Sequence, residues 1–248
     1  MDHAMFHLIL CLFGLVMGSF LNVCIYRIPR NLSIVRPRSR CPSCSCQLSW
    51  WQNIPLLSFI LLKRRCHHCK KLISWQYPFV EILSLIITLL LHEQYDLSQN
   101  FVLYLIFFYG LIIISTVDYQ LHIIPNNILV FLLSAGIFVN LFFRTIPWID
   151  AITGFLFSLS FMIVIRILGD LILLKESMGM GDIKLAAILG FYIGWQHFLW
   201  TLFLGSLLAL LINLMYTNLT KTSIQPKIPF APYLSFVAFL KILLDGFH

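Results

Sequence analysis

Long apolar runs follow one another along this 248-residue chain and set the first limit on its fold. A helix needs about 20 apolar residues to cross a hydrocarbon core that is ~30 Å thick. Only 11% of the residues are charged, whereas a soluble globular domain carries about 25%. Because lipid cannot hydrogen-bond to an open backbone, each run must fold as a helix. The sequence therefore predicts an all-α polytopic membrane protein.

We predict about eight transmembrane helices, or seven if the sixth run is re-entrant. No Lys or Arg precedes the first run, and Arg27 and Arg30 follow it. We therefore expect a retained first helix rather than a cleavable signal peptide. The predicted spans are 5–25, 79–91, 101–117, 127–143, 151–174, 183–195, 198–216 and 232–244.

The basic residues are concentrated in one loop, which predicts the orientation of the chain. Residues 27–80 contain ten Lys or Arg and no Asp or Glu. The positive-inside rule makes this loop cytoplasmic. Threading the spans from there places Asp118 and Asp182 on the same, cytoplasmic side.

Four cysteines in this loop form two Cys-x-x-Cys pairs, Cys41 with Cys44 and Cys66 with Cys69, separated by 21 residues. Two such pairs suit a tetrahedral zinc site. Four thiolates leave no open position for water, so the zinc is expected to be structural. The prediction is a small zinc-stapled cytoplasmic loop domain.

Other interpretations of this loop stay open. Cys46, His67 and His68 could compete as ligands, although we favour a spare thiol and two exposed histidines. A disulfide framework is the alternative to zinc, but a cytoplasmic loop lies in a reducing compartment. A basic zinc ribbon could bind nucleic acid; we favour lipid headgroups as the partners of these cations and predict no nucleic acid.

Two carboxylates, Asp118 and Asp182, lie where apolar runs meet short polar segments. Carboxylates at such places carry a functional hypothesis by default. Two carboxylates a few ångströms apart cannot both ionise readily and share a proton, as in aspartic proteases. Either residue alone could simply cap a helix or end a loop.

Four further residues are candidates for support of that site. Gly179 and Gly181 precede Asp182 and would let another chain approach closely. Lys184 would be a snorkelling cation that could tune the charge of Asp182. Glu81, near the start of the second span, could serve packing, substrate contact or catalysis.

Several short motifs follow one another along nearly the whole chain. They are GSFLNV at 18–23, YRIP at 26–29, the two cysteine pairs, YPFVE at 77–81, Asp118 with IPN at 124–126, GMGDIK at 179–184 and IPFAPY at 228–233. This ordered set resembles that of the prepilin peptidases, or type IV leader peptidases, which are GxGD-type membrane aspartic proteases. The last motif carries alanine at position 231, where the family often has glycine.

The resemblance implies a two-step enzyme. Such enzymes cleave the basic leader of type IV prepilins or type II secretion pseudopilins on the cytoplasmic side of the bacterial inner membrane. Many then methylate the new N-terminal residue, usually phenylalanine, with S-adenosylmethionine. By resemblance Asp118 and Asp182 are the catalytic pair, and the four cysteines of the two pairs are zinc ligands. No glycine-rich nucleotide motif marks a methyl-donor site.

The resemblance also implies a three-part organisation. Residues 1–26 would form the first transmembrane helix, residues 27–77 the zinc loop associated with methylation, and residues 78–248 the peptidase core. Two other functions remain alternatives: a transporter that relays protons through its aspartates, and a membrane-anchored zinc scaffold without catalysis.

Overall fold

A computed structural model describes residues 3–174, 176–220 and 228–245. Its described residues form helices and loops and contain no β-strand, which confirms the predicted all-α class. Two 3-10 helices, Ile28–Arg30 and Trp50–Asn53, lie in the basic loop. The α-helices are α1 (His3–Arg27), α2 (Leu57–Leu61), α3 (Gln76–Tyr95), α4 (Gln99–Leu121), α5 (Asn126–Phe143), α6 (Trp148–Leu173), α7 (Met180–Thr220) and α8 (Ala231–Asp245).

Among the described residues, five helices are long and apolar enough to cross a membrane by length and composition, and α8 is a shorter apolar helix. This confirms the membrane class of the fold. Every predicted span falls on a helix, except that α6 ends one residue before the predicted end of the fifth span. The five helical segments are Met5–Arg30, Gln99–Leu121, Asn126–Phe143, Trp148–Leu173 and Met180–Leu219.

The sixth and seventh predicted spans lie on two helical segments of α7 that meet at Gly194. The helical backbone of α7 is interrupted at Gly194, with φ 74° and ψ 165°. This conformation is essentially restricted to glycine, so the interruption depends on that residue. Two helical segments therefore follow each other here without an intervening loop.

The chain divides into two compact units, Met1–Asp96 and Leu97–His248. In the first unit, α1 packs closely along α3. A Cβ on Gly18 would lie 2.6 Å from the Glu81 Cα, so only glycine fits at this crossing. The Ser84 hydroxyl donates a hydrogen bond to the Gly14 carbonyl at 2.8 Å. Small residues and hydroxyl bonds of this kind join helices where burial from water cannot.

In the second unit, small residues again allow close helix packing. A Cβ on Gly154 of α6 would clash with the carbonyl of Gly190 in α7. Phe107 of α4 stacks on Tyr192 of α7 with ring centroids 4.0 Å apart. The Tyr192 hydroxyl donates to the Leu132 carbonyl of α5 at 2.7 Å. These contacts fix the first half of α7, which carries Asp182, against α4, α5 and α6.

The predicted division at residues 26 and 77 separates a membrane helix, a loop and a peptidase core. Compact packing divides the chain differently, because it places α1, the loop and α3 within one unit. The predicted three-part organisation therefore stays a prediction.

Candidate active site and metal centre

Asp118 lies in the last turn of α4, which ends at Leu121. Its side chain is buried, with 6% of its surface exposed. The backbone N–H of Ala231, the first residue of α8, donates to its Oδ2 at 3.0 Å. The first N–H groups of a helix lack partners within the helix, and a carboxylate is well suited to accept them. Asp118 thus joins the end of α4 to the start of α8.

Asp182 lies in the first turn of α7 and is half-buried. The backbone N–H of Gly179 donates a hydrogen bond to its carboxylate. Asp118 and Asp182 are close enough for their charges to interact. The structure therefore brings together, within the second unit, the two carboxylates that sequence reasoning singled out.

The two glycines of the GMGD segment lie close to different groups. A Cβ on Gly181 would lie 2.9 Å from the Ile124 Cβ, which is closer than real Cβ contacts. A Cβ on Gly179 would lie 3.2 Å from the Asp182 Oδ2. Gly181 thus permits a close approach of the segment after α4, and Gly179 leaves space beside the carboxylate.

Lys184 and Glu81 occupy different surroundings. The exposed Lys184 ammonium donates to the Asn126 Oδ1 at 3.0 Å, which links α7 to the start of α5. Glu81 belongs to the first unit, where its Oε2 accepts the Leu56 N–H at 2.8 Å and the Ser19 hydroxyl also contacts its carboxylate. A supporting role for either residue in catalysis stays a prediction.

The four cysteines of the two pairs converge on one point. The sulfurs of Cys41, Cys44, Cys66 and Cys69 all lie within 4.8 Å of one another, and two of the four residues are buried. The Cys41 and Cys69 sulfurs are 3.9 Å apart. Four sulfurs at this spacing could hold one tetrahedral zinc ion.

Two matching turns create this convergence. The Cys41 N–H donates to the Cys46 carbonyl at 2.9 Å, and the Cys66 N–H donates to the Lys71 carbonyl at 2.9 Å. Each turn contains one residue in the left-handed region, Ser45 with φ 59° and Lys70 with φ 58°. The local sequence thus folds each pair into a knuckle that presents both sulfurs to the same side.

The electrostatics of the sulfurs favour a bound cation. The backbone N–H of Cys69 points at the Cys66 sulfur and lowers the pKa of that thiol to about 6. At Cys44 the backbone N–H of Cys46 acts in the same direction, but desolvation and contacts with neighbouring sulfurs outweigh it and raise the pKa to about 12. The Cys66 thiol thus loses its proton readily, whereas the Cys44 thiol resists losing its proton. A bound dication would favour the thiolate form of both.

The alternative ligands stand outside the four-sulfur cluster. Among the described residues, the candidate metal group contains neither Cys46, His67 nor His68. The His67 ring instead packs edge-on against Trp51, with centroids 5.9 Å apart. The interpretation of these residues as a spare thiol and two exposed histidines stays a prediction.

Two family models match the chain: the bacterial peptidase A24 N-terminal domain over residues 12–95, and the type IV leader peptidase family over residues 105–214. A prepilin leader peptidase/N-methyltransferase of Pseudomonas putida is 30% identical over 265 residues, covering 98% of this chain and 92% of its own length. The chain belongs to the type IV leader peptidase family.

Other relatives agree with this membership. The protein of the same description from Pseudomonas aeruginosa is 30% identical over 95% of this chain and 90% of its own length. The one from Myxococcus xanthus is 33% identical over 85% of this chain and 63% of its own length. No solved structure matches the chain. The resemblance read from the motifs is thus confirmed, as is the prediction that this leader peptidase family member is an enzyme.

Sequence reasoning missed one feature of the candidate site around Asp118 and one feature of the first unit. The Ala231 N–H that contacts Asp118 is a backbone group and leaves no signature of its own, although the IPFAPY motif includes its position. A cavity beside the zinc loop, described below, has walls that come from distant parts of the sequence. No local motif could have predicted it.

Proposed function

We propose that this chain removes the basic leader from type IV prepilins or type II secretion pseudopilins and then methylates the new N-terminal amine with S-adenosylmethionine. Support comes from the names of its relatives, prepilin leader peptidase/N-methyltransferase, which match over nearly the full chain. The proposed location is the bacterial inner membrane, with the zinc loop and both aspartates on the cytoplasmic side.

The observation that carries the peptidase proposal is the interacting pair Asp118 and Asp182. In the proposed reaction the ionised carboxylate takes a proton from water, and the water oxygen attacks the scissile carbonyl carbon. The protonated carboxyl gives its proton to the carbonyl oxygen. The tetrahedral intermediate then collapses as the C–N bond breaks and the leaving amine takes up a proton. The Ala231 N–H holds Asp118 in place for this exchange.

The positions of the aspartates favour a peptidase over a transporter. Proton-relay acids of transporters lie near the midplane, where helices are broken. Asp118 instead lies in the last turn of α4, and Asp182 lies in the first turn of α7. A leader cut also falls at the border between a basic segment and an apolar helix, and a pair of carboxylates at helix ends suits such a cut.

In the methylation step the new N-terminal amine would accept a methyl group on its nitrogen and lose a proton. S-adenosylmethionine would supply the methyl group as a good electrophile with a neutral thioether as leaving group. The zinc cluster is proposed to be structural, since its four sulfurs fill a tetrahedral sphere. It would hold the loop of 27–77 in one fold.

Leader cleavage of a purified prepilin, followed by mass, tests the peptidase proposal. Asp118→Asn and Asp182→Asn should each lose cleavage by roughly 10²–10⁴-fold, the usual contribution of a general acid or base. Asp150→Asn is the matched control, because Asp150 is an exposed aspartate in the first turn of α6. Cleavage at the wild-type rate by both active-site variants would overturn the two-aspartate mechanism.

The same assay tests methylation. The processed product should gain the mass of one methyl group only when S-adenosylmethionine is present. Cleavage without this gain, under conditions that preserve the zinc, would limit the chain to peptidase activity.

A further inference from the structure

A cavity of about 550 Å³ lies in the first unit, between α1, the loop of 28–75 and α3. Small-molecule sites typically enclose about 300–1,000 Å³, so its volume suits a small ligand. All its lining residues fall between Ser19 and Glu81, inside the first unit. Asp118 and Asp182 do not line it, and the proposed peptidase mechanism gives it no role.

The cavity wall contains a buried carboxylate. Glu81 lines the cavity and is only 7% exposed. Its carboxylate accepts hydrogen bonds from the Leu56 N–H at 2.8 Å and from the Ser19 hydroxyl. Among the described residues no Lys or Arg forms an ion pair with it. A buried charge without an opposite charge is costly, so a positively charged group of a ligand would be favoured beside Glu81.

Cations line the exposed part of the cavity. Arg36, Arg40 and Lys71 are exposed and contribute to its lining. The buried Arg27 also lines it, but its guanidinium already donates to two backbone carbonyls of the loop at 2.8 and 2.7 Å. The exposed guanidinium groups of Arg36 and Arg40 can instead form charge-assisted hydrogen bonds with an anionic end of a ligand.

Aromatic rings complete the lining. Tyr26, Phe59 and Tyr77 all face the cavity and offer flat apolar surfaces on which a base can stack. The cavity therefore fits a ligand with an aromatic base, an internal positive centre and a carboxylate. S-adenosylmethionine has these three parts.

We infer that this cavity binds S-adenosylmethionine, with its sulfonium against Glu81 and its carboxylate toward Arg36 and Arg40. This inference rests on the proposed methyl transfer, which requires such a donor. It also accounts for release of the product. Methyl transfer turns the charged sulfonium into the neutral thioether of S-adenosylhomocysteine, so the product loses its attraction to Glu81 and exchanges for a fresh donor.

Binding measurements on the full-length protein in detergent, with S-adenosylmethionine and S-adenosylhomocysteine as separate probes, test the Glu81 contact. Wild type should bind the sulfonium compound more tightly than the thioether. Glu81→Gln should weaken the binding of S-adenosylmethionine by at least about tenfold, because one partner of a buried charge pair is removed. The binding of S-adenosylhomocysteine should change little. Glu93→Gln is the matched control, since Glu93 is exposed on the same helix and does not line the cavity.

The arginines provide a second test that does not depend on a buried substitution. The double variant Arg36→Gln, Arg40→Gln should weaken the binding of both compounds by the same factor, because both carry the carboxylate. Arg38→Gln is its control, as Arg38 is exposed between them and does not line the cavity. If Glu81→Gln fails to fold, the arginine variants still decide whether the two compounds bind in this cavity.

The outcomes separate the inference from the function on which it rests. If wild type binds neither compound, both the methyl transfer and the donor site are wrong. If wild type binds the donor and the Glu81 and arginine variants bind it equally well, methyl transfer stands and the cavity assignment is overturned. An equal loss of both compounds in Glu81→Gln would exclude the sulfonium contact.

Discussion

Asp118 has a structural contact that can be separated from its proposed catalytic role. Its Oδ2 accepts the Ala231 N–H at 3.0 Å across 113 residues of sequence, and the contact is buried. Asp118→Asn keeps an oxygen acceptor of the same shape and removes the charge. Asp118→Ala removes both the acceptor and the charge. The two variants should therefore differ in stability and agree in activity.

The magnitudes follow from the contact. Alanine leaves a buried N–H without a partner, which costs about 1–3 kcal/mol. Asparagine retains a neutral hydrogen bond, so the free energy of unfolding should fall by less than about 1 kcal/mol relative to wild type. Leader cleavage should fall by roughly 10²–10⁴-fold in both variants, because each lacks the ionisable group.

The assay pairs two measurements on the same preparations: the rate of leader cleavage, and the unfolding midpoint in detergent under denaturant titration. Asp150→Asn should match wild type in both. If asparagine destabilises the protein as much as alanine does, the N–H contact is not the cause. If alanine is as stable as wild type, Asp118 does not hold the start of α8.

Three further changes test other parts of the structure. Gly181→Ala should destabilise the protein by about 1–3 kcal/mol by overpacking and reduce leader cleavage, since its Cβ would lie 2.9 Å from Ile124; Ile124→Ala in the same chain should restore part of both. Cys41→Ser should lower the zinc content measured on purified protein while Cys46→Ser retains it, and lowering the pH should release zinc because protons compete for the thiolates. Tyr192→Phe removes a hydrogen bond to a buried carbonyl of α5. It should lower the free energy of unfolding by about 1–3 kcal/mol and leave leader cleavage unchanged.

The helical fold was predictable because the bilayer leaves few options. Apolar length and the need to satisfy backbone hydrogen bonds determine both the class and the approximate spans. The knuckles around Cys41 and Cys66 were predictable as well, since a pair spacing of two residues allows both sulfurs to face one ion. Each of these inferences depends on a local pattern.

The position of the break in α7 was not predictable from such patterns. Gln196 and His197 suggest a polar break between two spans, yet both are helical, and the interruption lies at Gly194. An added Cβ at Gly194 would meet nothing within 4 Å. The glycine is therefore needed for its backbone conformation and not for space, and that requirement does not show in the apolar pattern.

The surroundings of the aspartates show the same limit. A carboxylate at a helix end is visible in sequence, but the backbone donor that holds it is not. For Asp118 that donor comes from Ala231, and for Asp182 it comes from Gly179 in the adjoining segment. Long-range and backbone contacts of this kind depend on helix packing, which the apolar pattern constrains only weakly.

The residues proposed for cleavage and those proposed for donor binding lie in different parts of the chain. Variants can therefore test the two activities independently. Every residue lining the cavity lies at or before Glu81, while both aspartates lie after residue 97. The boundary between the compact units, at residues 96 and 97, also falls in the gap between the two matched family segments, 12–95 and 105–214. Substitutions of the aspartates should therefore abolish cleavage without weakening donor binding. If Asp182→Asn weakened the binding of S-adenosylmethionine as strongly as Glu81→Gln does, the assignment of the two activities to different residues would be wrong.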